Sequence, residues 1–207
     1  MSHTHIADDD NRTLPEFSLM QQIKRRFFAM RNGMLADQMR RNGLDYRVNF
    51  GLNIPQIKEI ATDTLSSGLT SAEQLELANA LWENINTRES RLLAPMLFPA
   101  DIMSDELALK WLSEAQTTEI SDHLCHSLLR KLPFASEVAK TLIHTANATD
   151  MQRYSALRLL LNLVAIGKES PLPLKDIATE SLSCHMTRPV ARQLLDEIEF
   201  ISGSHDI

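Results

Sequence analysis

Apolar residues recur at three- and four-residue spacing along most of this chain, which is the period of an amphipathic helix. Phe17, Met20, Ile23, Phe27 and Met30 mark a first helix over Glu16 to Met30, broken at Asn32-Gly33. Shorter helices are expected over Met34 to Arg41 and Pro55 to Leu65. Thr70 or Ser71 caps a helix carrying Leu75, Leu77 and Leu81-Trp82, and Thr87 caps Arg88 to Leu97, which Pro95 should kink or shorten. Ser104 caps Asp105 to Ser113. Thr117 or Thr118 opens a helix over Glu119 to Leu132, stopped by Pro133. Ala135 to Ala146 follows, and then Met151 to Ile166, with Asp150 as its cap and Gly167 as its stop. That helix is apolar nearly all round and should be the most buried. Leu174 to Leu182 and Val190 to Ile201 close the series, the last capped by Thr187.

About ten helices joined by short connectors, with no strand, make an all-α protein. Prolines 55, 95, 133 and 173 fall at intervals of 40, 38 and 40 residues, close to the repeat length of HEAT and armadillo helix pairs. The pattern therefore predicts a HEAT/armadillo-like α-solenoid of stacked antiparallel helix pairs, with a globular helical bundle as the alternative. It occupies one domain over residues 14–203, after a polar, disordered tail at 1–13. Composition agrees: glycine is scarce, at 6 of 207 residues, and hydrophobic content is 43%. No apolar run approaches the roughly 18 residues of a membrane span, and the N-terminus lacks signal-peptide features, so a cytoplasmic protein is expected. Cys125 and Cys184 are then reduced thiols.

The densest local signal is Leu44 to Ile60. Gly43 ends a helix, Tyr46, Val48 and Phe50 alternate with polar residues, Gly51 offers backbone freedom, and Pro55 suits a helix start. This is a structured corner carrying its own apolar anchors.

Net charge is −6, which argues against a nucleic-acid partner, but it is unevenly distributed. Residues 14–58 hold eight Lys/Arg against three acids, whereas residues 59–207 hold twelve against twenty-one. A basic N-terminal lobe, with Lys24 and Arg47 as candidate contacts, suits phosphate; a solvated helix face is the plainer reading.

Several segments together resemble the HEAT-like DNA alkylation repair family, the bacterial alkylpurine DNA glycosylases and their relatives. They are Ile23-Lys24, Tyr46 with Gly51 and Pro55, Leu81-Trp82, Arg88-Glu89, Ala94 and Met151-Gln152-Arg153, in order over residues 20–165. The resemblance implies a superhelical stack that cradles duplex DNA. It also implies excision of cationic alkylated purines without drawing the base into a pocket, by an aromatic–x-x-x–Asp helix start and a later tryptophan. The matching place is Thr118-Glu119-Ile120-Ser121-Asp122, so Asp122 takes the catalytic position. Thr118 stands where the aromatic would be, and the late tryptophan falls near Leu194. Arg153 matches an arginine that contacts the DNA backbone; its plainer reading is a surface residue paired with an acid such as Asp150. Arg158, five residues on, does not share its face.

Asp122, His123, Cys125 and His126 are metal-capable, with Cys184-His185 as distant companions, but no second pair has ligand spacing. No metal and no cofactor are expected; the plainer reading buries Cys125 and exposes the histidines. A Cys–His nucleophile lacks an evident oxyanion hole. Duplex DNA is the expected partner, with binding surer than glycosylase chemistry, and a non-catalytic scaffold for another protein is the alternative.

Overall fold

The computed structural model describes residues 18–203. Eleven α-helices appear among them: α1 (Leu19–Ala29), α2 (Gly33–Arg41), α3 (Ile54–Leu65), α4 (Ser71–Glu83), α5 (Arg88–Leu97), α6 (Asp105–Ser113), α7 (Thr118–Ser127), α8 (Ala135–His144), α9 (Asp150–Val164), α10 (Leu174–Ser183) and α11 (Thr187–Gly203). The expected tail and Phe17 lie outside the described residues. No helix there is long and apolar enough to cross a membrane.

The helices stack in pairs, as the solenoid reading requires. Along one row α3 packs on α5, α5 on α7, α7 on α9 and α9 on α11. Each of α4, α8 and α10 packs on its sequence successor in that row, and α6 lies against α8 and α9. Buried side chains form one continuous core between the rows, from Ile23 and Phe27 to Leu194.

Most helix starts are held by the expected kind of cap. Ser18, Asn53 and Thr70 each accept from the third-residue amide and are answered by a Gln or Glu side chain, a reciprocal capping box. Thr117 is the cap of α7. Thr149, and not Asp150, caps α9, with Gln152 reaching back to it. Thr87 makes no side-chain cap; instead the Val48 carbonyl takes the Arg88 amide at 3.2 Å. Thr187 is the first residue of α11, and its hydroxyl donates to the Glu180 carbonyl at 2.9 Å, tying α11 to α10.

Two expectations about packing are corrected. The run predicted as one helix over 119–132 breaks: α7 ends at Ser127, Leu128 leaves helical geometry, and a short 3-10 turn spans Leu129–Lys131. Leu124, Leu128 and Leu129 are all buried, so the break keeps both sides of the apolar run in the core. The most buried helix is α5, with nine of ten residues buried, and not α9, with eight of fifteen. Among the nine are Arg88, Glu89 and Arg91.

Those charged residues explain the corner at 42–53. Glu89, fully buried, accepts the Phe50 amide at 3.1 Å and the Leu52 amide at 3.3 Å. Arg88 donates to the Leu52 carbonyl and to Glu89, and its other edge grips Glu119 of α7 through Nε at 2.8 Å. Arg91 lies 3.7 Å over the Trp82 ring, donates to the Trp82 carbonyl at 2.7 Å and bonds the Glu114 carbonyl. Trp82 stacks on Trp111 at 4.2 Å and donates to Glu114 at 2.7 Å. In a dry interior such groups persist only because each is paired. Tyr46 is buried and its hydroxyl meets Thr117 at 2.9 Å. The Val48 side chain is exposed; its backbone does the anchoring, through an isolated bridge to Thr87.

Candidate functional site

The helix row α3–α5–α7–α9 carries a groove made of two adjoining depressions, which share Ile54, His123 and His126. The larger, about 720 Å³, adds Thr118, Glu119, Asp122, Arg158 and Asn162, with Asn42 and Leu44 from the corner. The smaller, about 320 Å³, adds Lys58 of α3, Met96 of α5, and Ser127, Arg130 and Lys131 after the break in α7. The break therefore has a consequence for the surface: it turns Arg130 and Lys131 toward the groove.

Asp122 sits on the groove wall in a small network. Its Oδ1 accepts from the Tyr154 hydroxyl at 2.7 Å and lies 2.8 Å from Arg158 Nε, while Arg158 Nη2 donates to the Tyr154 oxygen at 3.1 Å. Burial raises the Asp122 carboxyl above its ordinary value, against the opposing pull of Tyr154 and Arg158. Burial also pushes Tyr154 up to about 12, so the phenol keeps its proton and donates it. Glu119, the other acid at the groove, is held by Arg88.

The basic end is different. Among the described residues Lys58, Arg130 and Lys131 make no ion pair. Burial and these three cations lower His126, and burial with Arg130 lowers Lys131. The surface thus presents positive charge that the protein itself leaves uncompensated, next to the Asp122–Arg158 pair.

His123 is buried, contrary to the expectation that both histidines are exposed, whereas Cys125 is buried as expected. Its Nε2 meets Ser127 Oγ at 3.2 Å, and burial lowers its pKa from 6.5 to about 4. The unfolded chain therefore binds a proton below pH 6.5 that the folded chain refuses until about pH 4. Stability should fall through that window as pH falls, by up to about 3 kcal/mol from this group. His123→Gln should remove this contribution, so that urea midpoints of wild type and variant converge as the solution is acidified. An equally steep acid limb in the variant would contradict it. No cluster of three metal-capable side chains occurs among the described residues, and Cys125 and Cys184 are unpaired thiols.

The sequence-selected residues are dispersed. Asp122 lines the groove. Arg153 does not, and pairs with Glu180 of α10 at 2.9 Å. Lys24 and Arg47 are exposed around a separate depression of about 430 Å³ with Phe50, Asn84 and Thr87. Leu194 is fully buried, and Trp82 and Trp111 are in the core. Among the described residues no Phe, Tyr or Trp lines either depression of the groove; the only ring side chains there are the imidazoles of His123 and His126.

A model of the family described as DNA alkylation repair enzyme matches residues 23–167. The chain belongs to that family. Comparisons with curated proteins and with solved structures give no match. The matched span of this DNA alkylation repair family member covers the corner, the Arg88–Glu89 network and the whole groove. Sequence reasoning set Arg158 aside because it does not share the face of Arg153, and missed Arg130, Lys131 and Asn162. A signal existed for two of them: Tyr154, Arg158 and Asn162 recur every four residues on an otherwise apolar helix, which is a polar stripe on one face.

Proposed function

We propose that this DNA alkylation repair family protein binds duplex DNA along the groove, with the phosphate backbone against Lys58, Arg130 and Lys131, and that it does not excise alkylpurines rapidly. The observation that carries the reading is the convergence on one groove of three cations that make no ion pair among the described residues, in a chain of net charge −6. An acidic protein that concentrates positive charge locally gains its duplex affinity there, through counterion release. Arg158 is better placed than Arg153, Lys24 or Arg47 to touch the same strand, because it shares the wall with Asp122.

The reading on catalysis follows from what surrounds Asp122. A carboxylate here suits stabilising positive charge on a deoxyribose as an alkylated base departs. It needs the sugar held against it, and aromatic contact to nucleic acid contributes about 1–3 kcal/mol per group. Thr118 offers no such contact, and Oδ1 of Asp122 is already engaged by Tyr154 and Arg158. Release of 7-methylguanine from methylated duplex should run at the spontaneous rate, unchanged by Asp122→Asn. Release that the wild type accelerates and Asp122→Asn abolishes would overturn this part and make the protein a glycosylase. A scaffold for another protein predicts duplex binding that is absent at low salt.

A further inference from the structure

His126 stands where the two depressions of the groove meet, and it lines both. It sits in the last turn of α7 and is exposed. Around it are Lys58 of α3, Arg130 and Lys131 beyond the break, His123 on its own helix and Arg158 of α9. The acids of the groove are Glu119 and Asp122, and each already holds an arginine: Glu119 holds Arg88, and Asp122 holds Arg158. His123 is buried and stays neutral down to about pH 4. The His126 imidazole makes no hydrogen bond among the described residues. Partial burial and repulsion from Arg130, Lys58 and Lys131 hold its pKa below the ordinary 6.5.

We propose that His126 is a further phosphate contact of the groove, neutral in the free protein and protonated when duplex DNA is bound, so that affinity for DNA rises as pH falls. This rests on the duplex-binding reading and carries the strand across the junction of the two depressions. A phosphodiester docked on Lys58, Arg130 and Lys131 neutralises the cations whose repulsion keeps the proton off. It also offers an anionic oxygen to the ring N–H, and such charge-assisted bonds are the stronger kind. Both effects favour the charged imidazole. The complex therefore holds a proton, drawn from solvent, that the free protein lacks. Affinity is then flat above the pKa of the complex, rises as pH falls through it, and levels off below the pKa of the free protein. The phosphodiester stays anionic throughout, so the change belongs to the protein.

The test is affinity for a short rhodamine-labelled duplex at low salt, measured at about pH 8 and about pH 5.5, the range in which histidine changes charge. Wild type should bind roughly tenfold more tightly at the lower pH, which is the effect of a one-unit rise in the His126 pKa on binding. Its plot of log affinity against log salt should also be steeper there, by up to about 0.9 for one added phosphate contact. His126→Gln should lose both gains. The other histidines are the same in the two proteins, so the difference between them reads His126 alone. His126→Lys, charged at both pH values, should bind at the higher pH as tightly as wild type does at the lower one. A gain at low pH as large in His126→Gln as in wild type, or no gain in wild type, would overturn this assignment and leave the groove reading standing. Failure of wild type to bind duplex at either pH would overturn the groove reading itself, and this assignment with it.

Discussion

Glu89→Ala should cost about 3–5 kcal/mol of folding stability, the loss typical of removing one partner from a buried ion pair. The carboxylate is fully buried and serves three donors at once: the amides of Phe50 and Leu52 and the Arg88 guanidinium. Alanine leaves both amides without an acceptor in a dry interior and leaves Arg88 to Glu119 and the Leu52 carbonyl. Glu89→Gln keeps the volume and one acceptor oxygen, so its loss should be smaller, about 1–3 kcal/mol. Urea unfolding of both variants at constant m-value measures this. An alanine variant within 1 kcal/mol of wild type, the scale of a typical exposed pair, would show that the corner is not held by this network.

The second large effect is at Gly51. Its φ is +71°, and a Cβ there would stand 2.1 Å from the Asn32 carbonyl oxygen and 2.7 Å from the Ala36 amide nitrogen. Both are backbone atoms at the start of α2, which the Asn32 amide already ties to the corner through the Phe50 carbonyl at 2.7 Å. Nothing at that contact can rotate away. Gly51→Ala should therefore exceed about 4 kcal/mol, well above the ~1–2 kcal/mol of the left-handed backbone alone. Gly43 is the control: φ is +88° but nothing lies within 4 Å of an added Cβ. Gly43→Ala should carry the backbone cost only, about 1–2 kcal/mol. Equal losses at the two glycines would refute the close approach of the corner to α2.

The two predictions share one cause, and it bears on what a sequence can show. Helices, most caps and the corner's ends were legible, because local periodicity and capping chemistry set them. Arg88 and Glu89 were legible only as family markers and Arg91 not at all; none of the three was legible as core. Charged residues are almost never fully buried unless paired, and their partners lie across the fold: Leu52, Glu119 and the Glu114 carbonyl. The break after Ser127 was invisible because Leu128 and Leu129 continue the apolar run and Pro133 is the first evident stop. That break carries Arg130 and Lys131 to the groove, so the basic end of the site was lost with it. Asp122 was legible through the family motif alone. Its companions Tyr154 and Arg158 come from another helix, and only the α7–α9 packing brings them to it.

Duplex binding by the groove is tested most directly by the salt dependence of affinity, compared between wild type and a Lys58→Gln, Arg130→Gln, Lys131→Gln triple variant. None of the three side chains makes an ion pair among the described residues, so the variant should fold as wild type does. If the three contact phosphates, its plot of log affinity against log salt should be shallower by about 2.7, at ~0.9 per phosphate contact. Identical slopes for the two proteins, or no duplex affinity in wild type at low salt, would contradict it.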